Sequence, residues 1–441
     1  MTLRFGTDGV RGRADELTDE LVVALGQAAA EVLGADAMVV GRDTRASGPR
    51  LEAALAEGAR AAGVEPIGLG VVPTPTVAWE SARSGRTGAV ISASHNPWTD
   101  NGIKFFAPGG RKLSDELEER LEARLDELVA IAAPLPTGMV EPAGDPSVGT
   151  AWAEALRATV PADALRGMKV VVDCANGASS ALAPGVLRDL GCDLVVLHDS
   201  PDGTNINDGC GSTHPGDLQA AVVEHGADVG LAFDGDADRV LAVDERGALV
   251  DGDHLIALFA LDLQDRGRLA QDHVVVTVMT NLGFRHAMSS AGIEVVETPV
   301  GDRHVLEALQ RGGWSLGGEQ SGHIVFADLA TTGDGLLSGL QLLDLLRRSG
   351  RPLSELAAQV MTRLPQVLVN VAVDQRRPDI ADLVADAVAA EEAVLDGAGR
   401  ILIRPSGTEP LVRVMVEAPS AEQAEGVAQR LAAAVGAACA T

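Results

Sequence analysis

The feature that most constrains the fold is a regular alternation of short apolar runs with longer stretches of helical composition. Runs rich in Val, Ile and Leu recur along most of the chain, separated by stretches rich in Ala, Leu, Glu and Arg. This alternation is typical of βαβ units, in which strands are buried on both faces of a sheet. A chain of 441 residues is long enough for about two to four such cores. The sequence therefore predicts an α/β protein of several domains.

Turn-rich breaks divide this alternation into four parts. Residues 132–147 contain four Pro and two Gly, which predicts a linker after an acidic helix over 113–131. We predict three successive mixed-sheet α/β domains over residues 1–148, 149–250 and 251–364, and a smaller C-terminal α+β domain over 365–441. Strands of the first domain are predicted over 37–41, 65–70 and 88–93. In the last domain we predict one continuous helix over 379–392 and another over 421–435.

The charge balance limits the classes of partner. The formal net charge is -28, which repels nucleic acid and anionic membranes, and aromatic residues make up only 2%. We therefore expect a small-molecule partner, no nucleic acid and no membrane. The four cysteines have no C-x-x-C spacing, and the N-terminus lacks the apolar run of a signal peptide. Both observations predict a cytoplasmic location.

A polar turn after the strand predicted over 88–93 carries a candidate nucleophile. Ser94 begins a Ser-His-Asn-Pro run, and α/β enzymes place reactive groups where sheet strands end, so we expect Ser94 at the exposed end of the sheet. A serine needs a base, a metal or a cation to react, and Lys104 could supply charge or transfer a proton. His95 is a further candidate base. An ordinary Asn-Pro turn is the alternative.

Three carboxylates at alternate positions follow the apolar strand predicted over 228–233. Asp234, Asp236 and Asp238, here called the aspartate triad, supply the hard oxygen ligands that Mg²⁺ prefers. Like charges a few Å apart raise one another's pKa, so the triad favours a bound cation over a solvated turn. A calcium EF-hand is excluded because Arg239 stands where that loop requires Gly. The sequence thus predicts one Mg²⁺ per chain.

Two later clusters have the composition of ligand-binding loops. Glu319, Ser321 and His323 lie in a Gly-rich run that could bind sugar hydroxyls and carry out acid–base chemistry, or form a plain hairpin. The second cluster supplies guanidinium, hydroxyl and backbone N–H donors suited to a phosphate. The members of this phosphate cluster are Arg404, Ser406, Gly407, Thr408 and Arg413. Arg11, in a Gly-rich opening, could contact phosphate or lie in a strand and turn. Cys210 has no second thiol nearby in sequence and is predicted to be structural.

Four motifs in order resemble the α-D-phosphohexomutase superfamily. They are Ser-His-Asn-Pro at 94–97, Asp-Gly-Asp-Ala-Asp-Arg at 234–239, Gly-Glu-Gln-Ser-Gly-His at 318–323 and Arg-Pro-Ser-Gly-Thr-Glu-Pro at 404–410. The resemblance spans essentially the whole chain. The Cys-Gly-Ser-Thr-His-Pro run at 210–215 is similar to the branch that acts on glucosamine phosphates. Trp98-Thr99 departs from the two aromatics usual in the family after the Pro, a difference that concerns the packing beside Ser94 and no catalytic group.

The resemblance implies four domains around one cleft and interconversion of glucosamine-6-phosphate and glucosamine-1-phosphate. Ser94 would carry the phosphoryl group, and a sugar bisphosphate would be the intermediate and activator. The aspartate triad and a phosphate oxygen on Ser94 would hold Mg²⁺. The phosphate cluster would hold the phosphate that is not reacting.

The resemblance also implies roles for the remaining candidates. Lys104 and His323 would be the acid–base candidates for the sugar hydroxyl. Arg11 and Arg239 would add positive charge near the transferred phosphate. Sugar hydroxyls would be bound by Glu319 and Ser321.

Three alternative functions stay open on the residues alone. The same chemistry could serve mannose or glucose phosphates, as in a phosphomannomutase/phosphoglucomutase. An apolar strand followed by D-x-D also occurs in haloacid-dehalogenase-type phosphatases, where Asp234 would be phosphorylated, although Asp238 replaces the Thr or Val of that family. A sugar-phosphate sensor would need the binding clusters but no reactive serine.

A homodimer is the candidate assembly.

Overall fold

The structure, a computed structural model, describes residues 5–6, 9–131, 135, 138–375, 377–405 and 410–439. Within these residues four β-sheets follow one another along the chain. The first three sheets are mixed and flanked by helices, and the last is antiparallel and smaller. The predicted fold class, three mixed-sheet α/β parts and a C-terminal α+β part, is confirmed.

The first sheet is mixed and has a parallel centre. Its strands are β1 (Phe5–Gly6), β2 (Gly9–Arg13), β3 (Ala37–Arg42), β4 (Glu65–Val71), β5 (Thr87–Ile91), β6 (Asp100–Ala107), β7 (Arg111–Lys112) and β8 (Ala143–Gly144). Its helices are α1 (Asp19–Leu33), α2 (Gly48–Ala61), α3 (Thr74–Ser84) and α4 (Asp115–Ile131). The order is β1-β2-β6-β5-β3-β4-β8, with β7 paired to β6. Because β4, β3 and β5 are parallel, the loops after them meet at one edge of the sheet.

The second sheet brings another set of strand ends together. Its strands are β9 (Lys169–Asp173), β10 (Asp193–Leu197), β11 (Val229–Phe233), β12 (Val240–Asp244) and β13 (Leu249–Val250), in the order β10-β9-β11-β12-β13. Its helices are α5 (Ser147–Arg157), α6 (Ala183–Asp189) and α7 (Gly216–His225). Every residue of β11 is buried, as expected for a central strand covered on both faces. The parallel strands β9, β10 and β11 end on one edge.

The third sheet contains β14 (His273–Thr277), β15 (Glu294–Thr298), β16 (Leu316–Gly318) and β17 (Ile324–Phe326), in the order β15-β14-β16-β17. The helices in this part are α8 (Gly252–Asp265), α9 (Leu282–Ser290), α10 (Asp302–Gly312), α11 (Gly335–Ser349) and α12 (Leu353–Val360). The antiparallel pair β16 and β17 forms the hairpin that carries the predicted sugar loop.

The last sheet contains β18 (Gln366–Ala372), β19 (Arg400–Pro405) and β20 (Leu411–Glu417), in the order β18-β20-β19. Its helices are α13 (Ile380–Leu383), α14 (Ala385–Leu395) and α15 (Ala421–Cys439). The single helix predicted over 379–392 is two helices, because Val384 has φ -109° and ψ 11°, outside the helical range.

The chain forms two compact units. One runs to Met279 and resumes over Ile293–Ala358, so it holds the first three sheets. The other joins Thr280–Gly292 to Gln359–Thr441, so α9 packs with the last sheet. In this second unit the buried Glu417 carboxylate accepts from the Leu282 backbone N–H and from the Arg400 guanidinium. The boundaries of the four predicted domains stay a prediction.

Two expectations about the first sheet need correction. The predicted linker over 132–147 contributes β8, whose Ala143 pairs in parallel with Ile67 and covers the β4 edge of the sheet. The strand predicted over 88–93 ends at Ile91, which places Ser94 in a buried turn.

Among the described helices, none is long and apolar enough to cross a membrane.

Candidate active site

Ser94 follows β5 at the edge where the parallel strands end, but it is not exposed. The residue is 1% exposed, so the expectation of an exposed position is wrong. The loop after β11 covers it, and a Cβ on Gly235 would lie 2.6 Å from the Ser94 carbonyl oxygen. Ser94 has φ 52°, a left-handed conformation that is costly for a residue with a Cβ. The surrounding contacts must therefore hold this backbone in place.

Two side chains from different sheets hold the Ser94 turn. Arg45, from the loop after β3, donates to the carbonyl oxygens of Ser94 at 3.2 Å and Asn96 at 2.5 Å. Asn207, from the loop after β10, donates to the same two oxygens at 2.9 and 3.1 Å. The Ser94 backbone N–H donates to the Ser92 hydroxyl at 2.9 Å. Both carbonyls of this strained turn are thus satisfied by buried donors.

The aspartate triad lies directly against Ser94. The Ser94 hydroxyl donates to Asp234 Oδ2 at 2.5 Å. One carboxylate oxygen from each member of the triad lies within 4.8 Å of the others, and all three residues are buried. The structure therefore brings the predicted nucleophile and the predicted metal ligands into one cluster.

Two donors from the first sheet reach this triad. Lys104 lies on β6, where the sequence analysis assigned no strand, and its ammonium donates to Asp236 Oδ2 at 2.8 Å. The same Nζ is 3.5 Å from Asp238 Oδ2. The Thr74 hydroxyl, at the start of α3, donates to Asp236 Oδ2 at 2.7 Å. The triad is therefore a shared contact between the first two sheets.

The pKa values of two carboxylates in the triad, Asp234 and Asp236, shift in opposite directions. Burial, reinforced by the charges of Asp238 and Asp236, raises the pKa of Asp234 well above its usual range. Burial acts to raise the pKa of Asp236 too, but the Lys104 ammonium outweighs it and the pKa of Asp236 is lowered. Asp236 Oδ1 and Asp238 Oδ1 are buried without a hydrogen-bond partner among the described residues. Two orphaned carboxylate oxygens beside a third carboxylate suit a hard cation such as Mg²⁺.

Positive charge borders the triad on the side of His95. Arg239 Nη1 donates to His95 Nδ1 at 3.2 Å, and the Ser94 hydroxyl oxygen lies 3.4 Å from the same nitrogen. Burial and the charges of Arg239 and Arg11 lower the pKa of His95 to about 4. His95 is therefore neutral near pH 7, accepts from Arg239 and is a poor general base there. The carboxylates of Asp234 and Asp238 raise the pKa of Arg239 although its burial opposes this.

The hairpin between β16 and β17 carries the predicted sugar-binding residues. Glu319 Oε1 accepts from the Gly301 backbone N–H at 3.0 Å. The Ser321 hydroxyl oxygen is buried and has no hydrogen-bond partner within the described residues. His323 is 1% exposed, and its Nε2 lies 3.3 Å from Asp302 Oδ2, which also pairs with Lys112 of β7. His323 Nε2 thus faces the Asp302 carboxylate, a neighbour that the sequence alone does not predict.

The phosphate cluster is described only in part. Arg404 and Arg413 are directly opposite each other on β19 and β20. Burial and the Arg413 charge lower the pKa of Arg404. Ser406, Gly407 and Thr408 lie outside the described residues. Two guanidinium groups side by side favour a bound anion, which would relieve their mutual repulsion.

Several site residues escaped the sequence analysis. Arg45 follows β3, Thr74 follows β4, and Asn207 lies in the loop after β10. Ser94 was singled out because it is a polar residue that follows an apolar strand. Asp43 and Arg45 follow β3 in the same way, so the same pattern could have indicated them. Asn207 and Asp302 could not be singled out in this way. What marks them as site residues is their contacts with Ser94 and His323, which are distant in sequence.

The chain matches all four domain models of the phosphoglucomutase/phosphomannomutase family. Alpha/beta/alpha domains I, II and III match residues 2–130, 150–247 and 251–364, and the C-terminal domain matches 368–434. A crystal structure of a phosphoglucomutase/phosphomannomutase family protein from Burkholderia thailandensis is 28% identical with a TM-score of 0.80, and the match covers 98% of this chain and 97% of that one.

Curated relatives narrow the match further. The phosphoglucosamine mutase of Frankia alni is 55% identical, over 99% of each chain. The phosphoglucosamine mutase of Thermobifida fusca is 54% identical, over 98% of each chain. At this identity over the full length of the relatives, the chain belongs to the phosphoglucosamine mutases of the phosphohexomutase superfamily.

Proposed function

We propose that this chain is an isomerase that interconverts glucosamine-6-phosphate and glucosamine-1-phosphate by phosphoryl transfer through Ser94, in the supply of amino sugar for cell-wall precursors. The observation that carries the chemistry is the 2.5 Å hydrogen bond from the Ser94 hydroxyl to Asp234, inside a buried triad of carboxylates. The choice of an amino sugar rests on relatives of 54–55% identity that are phosphoglucosamine mutases.

The aspartate triad is the proposed magnesium site. Its three carboxylates form an all-oxygen donor set that fits Mg²⁺, and two of them have a buried oxygen that accepts no hydrogen bond from the described residues. A phosphate oxygen on Ser94 would complete the set. When bound, the ion neutralises negative charge that develops on the transferred phosphoryl group.

In the proposed reaction phospho-Ser94 donates its phosphoryl group to a sugar monophosphate. The P–O bond to Ser94 breaks and the Ser94 oxygen takes up a proton, while a P–O bond to the sugar hydroxyl forms and the proton of that hydroxyl passes to a base. The product is a sugar bisphosphate, which turns end for end and returns its other phosphate to Ser94. The left-handed turn held by Arg45 and Asn207 fixes Ser94 for both transfers.

The groups around the triad would supply positive charge near the phosphoryl group and would transfer protons. Arg239, beside His95, and Arg11 add positive charge near the phosphoryl group. Lys104, whose side-chain nitrogen pairs with Asp236, is the first acid–base candidate for the sugar hydroxyl. His323 is the second acid–base candidate, and its burial requires the hairpin to shift before the imidazole meets a sugar hydroxyl.

The remaining candidates would bind the substrate. Glu319 would contact sugar hydroxyls, and so would the Ser321 hydroxyl, which has no hydrogen-bond partner in the described part of the chain. The phosphate cluster, with Arg404 and Arg413 as its described members, would hold the phosphate that is not reacting. Because either phosphate must fit there, recognition by charge suits both orientations of the bisphosphate.

The same proposal extends to partners and location. The partner is a small amino-sugar phosphate, without nucleic acid or membrane, and the enzyme acts in the cytoplasm, where such phosphates are metabolised. A homodimer is the candidate assembly, which light scattering coupled to size-exclusion chromatography tests.

Phosphopeptide mapping combined with Ser94→Ala tests the function. We expect phosphate on Ser94 in the wild type and no mutase turnover in the variant. Phosphate on Asp234, or net release of inorganic phosphate, would instead support the phosphatase. Ligand binding without any phosphorylation would support a sensor. Turnover of glucosamine, mannose and glucose phosphates side by side tests the sugar, and we expect the amino sugar to be preferred.

A further inference from the structure

A second group of metal-ligand side chains lies outside the aspartate triad. Asp173 ends β9, His198 directly follows β10, and Cys210 lies in the loop before α7. One potential ligand atom from each lies within 4.8 Å of the other two. Asp173 and Cys210 are fully buried, whereas the His198 side chain is 27% exposed and leaves a path from solvent.

The Asp173 carboxylate is buried, and no Lys or Arg among the described residues pairs with it. Its two oxygens accept from the backbone N–H groups of Ala175 and Gly211, both at 2.9 Å. Within the described parts of the chain no Lys or Arg lies within ion-pair distance of it. The imidazole of His198 faces it instead, with Nδ1 3.1 Å from Asp173 Oδ1. A buried carboxylate is costly unless positive charge compensates it. This position therefore favours a cation.

His198 is arranged as a metal ligand with an outer carboxylate. Its Nε2 lies 3.3 Å from Asp217 Oδ2, and its buried Nδ1 faces Asp173 without forming a hydrogen bond. When Nε2–H donates to Asp217, Nδ1 carries a free lone pair on the side of Asp173. Metal-bound histidines typically donate the N–H of their other ring nitrogen to a carboxylate in this way. Ligand N and O atoms on one tetrahedral zinc ion lie about 3.3 Å apart. The observed 3.1 Å from Nδ1 to Asp173 Oδ1 is close to that separation.

We propose that Asp173, His198 and Cys210 bind a divalent cation of the zinc class. A sulfur, an imidazole nitrogen and a carboxylate oxygen form a donor set that suits Zn²⁺, whereas Mg²⁺ prefers oxygen alone. The triad and this cluster would thus select different ions.

Binding of the ion changes the protonation of the sulfur. Burial, with the nearby carboxylates of Asp173, Asp208 and Asp217, raises the pKa of the Cys210 thiol to about 12. The sulfur therefore keeps its proton in the metal-free protein. On binding, the S–H bond breaks, a bond from sulfur to the metal forms, and the proton leaves to solvent.

The ion would stiffen the loop that supports Ser94. It would join the ends of β9 and β10 to the loop after β10, which carries Asn207. The Asn207 backbone N–H donates to the Ala175 carbonyl at 3.0 Å, and its side chain holds the Ser94 carbonyl. The proposed ion is structural, so it is independent of the phosphoryl-transfer role given to Ser94.

Cobalt substitution tests the site in the full-length chain. The protein is stripped with a chelator, saturated with Mg²⁺ to fill the triad, and titrated with Co²⁺. We expect one equivalent of Co²⁺ to produce the thiolate charge-transfer absorption of a sulfur-bound ion. The absorption should be lost in Cys210→Ser and His198→Gln and kept in Cys192→Ser, a matched thiol control. Asp217→Asn should weaken binding about 10-fold or more.

Two results would overturn the site. One is the absence of thiolate–cobalt absorption in the wild type, and the other is its persistence in Cys210→Ser. Should Cys210→Ser fail to fold, His198→Gln decides, since that side chain is partly exposed. Zn²⁺ should also raise the Tm of the Mg²⁺-saturated wild type but not that of His198→Gln, and an equal rise in both would likewise refute the proposal.

Discussion

The side-chain amide of Asn207 donates to the backbone carbonyl of Ser94 at 2.9 Å, so a loop of the second sheet holds the proposed nucleophile of the first. Arg45 donates to the same carbonyl from the loop after β3, which belongs to the first sheet itself. Ser94 needs this support because its backbone is left-handed and its hydroxyl must stay against Asp234. The geometry for transfer thus depends on how two sheets pack.

Asn207→Ala should lower kcat by about 100-fold and change KM little, because a displacement of the reacting group by about 1 Å has an effect of that size. Steady-state kinetics with glucosamine-1-phosphate measure it. Asn205→Ala is the matched control, since among the described residues its side chain bonds within its own loop, at Asp202 and Ser200. Equal effects of the two variants would count against the positioning role.

Asp238→Asn should weaken magnesium binding and reduce turnover by at least about 100-fold, because charge on the transferred group loses its counter-ion. Calorimetric titration with Mg²⁺ and turnover at saturating Mg²⁺ measure the two effects. Asp199→Asn, an exposed carboxylate after β10, serves as the control. An unchanged Mg²⁺ affinity in Asp238→Asn would remove this residue from the proposed metal site.

Lowering the pH should reduce the free energy of unfolding of the metal-free protein, because the buried His95 resists protonation. Its pKa is about 4 in the folded chain against 6.5 for the ordinary group, so the unfolded chain binds the proton more readily. The stability contributed by neutral His95 is complete above pH 6.5 and is lost as the pH falls towards 4. With a chelator present, the Tm decrease from neutral to acidic pH should be smaller in His95→Gln than in the wild type. Identical decreases would contradict this assignment.

Arg404→Ala should reduce kcat/KM for sugar phosphates by about 10- to 100-fold, the range expected when a hydrogen bond to a charged group is lost. The loss should appear mainly in KM, since this phosphate does not react. Arg430→Ala removes an exposed guanidinium that pairs with Glu391 and should leave the kinetics unchanged. Small and equal effects at both positions would argue against the phosphate cluster.

Glu417→Ala should destabilise the second compact unit by about 3–5 kcal/mol, because it leaves the Arg400 guanidinium and the N-terminus of α9 without their buried acceptor. Urea denaturation followed by circular dichroism measures the free energy of unfolding. Glu425→Ala, an exposed change on α15, is the control. A loss as small as that of the control would mean that Glu417 is not the centre of this network.

The sequence by itself determined the fold class and the chemical groups of the site. Alternating apolar runs predict buried strands, and polar motifs directly after those strands, at Ser94 and at Asp234, predict reactive groups at the sheet edges. Both signals are local: the period of the apolar residues and the residue types that end a strand are readable without knowing any distant contact.

Only the tertiary structure decided how these groups meet. The burial of Ser94 depends on the loop that carries Gly235, and Ser94 is held by Asn207, 113 positions away. The contact of Lys112 with Asp302 joins residues 190 positions apart. Such contacts arise when whole sheets pack, and their free energy depends on burial and geometry that no short segment encodes. For the same reason the edge strand β8 and the Arg45 anchor emerged only in the folded chain.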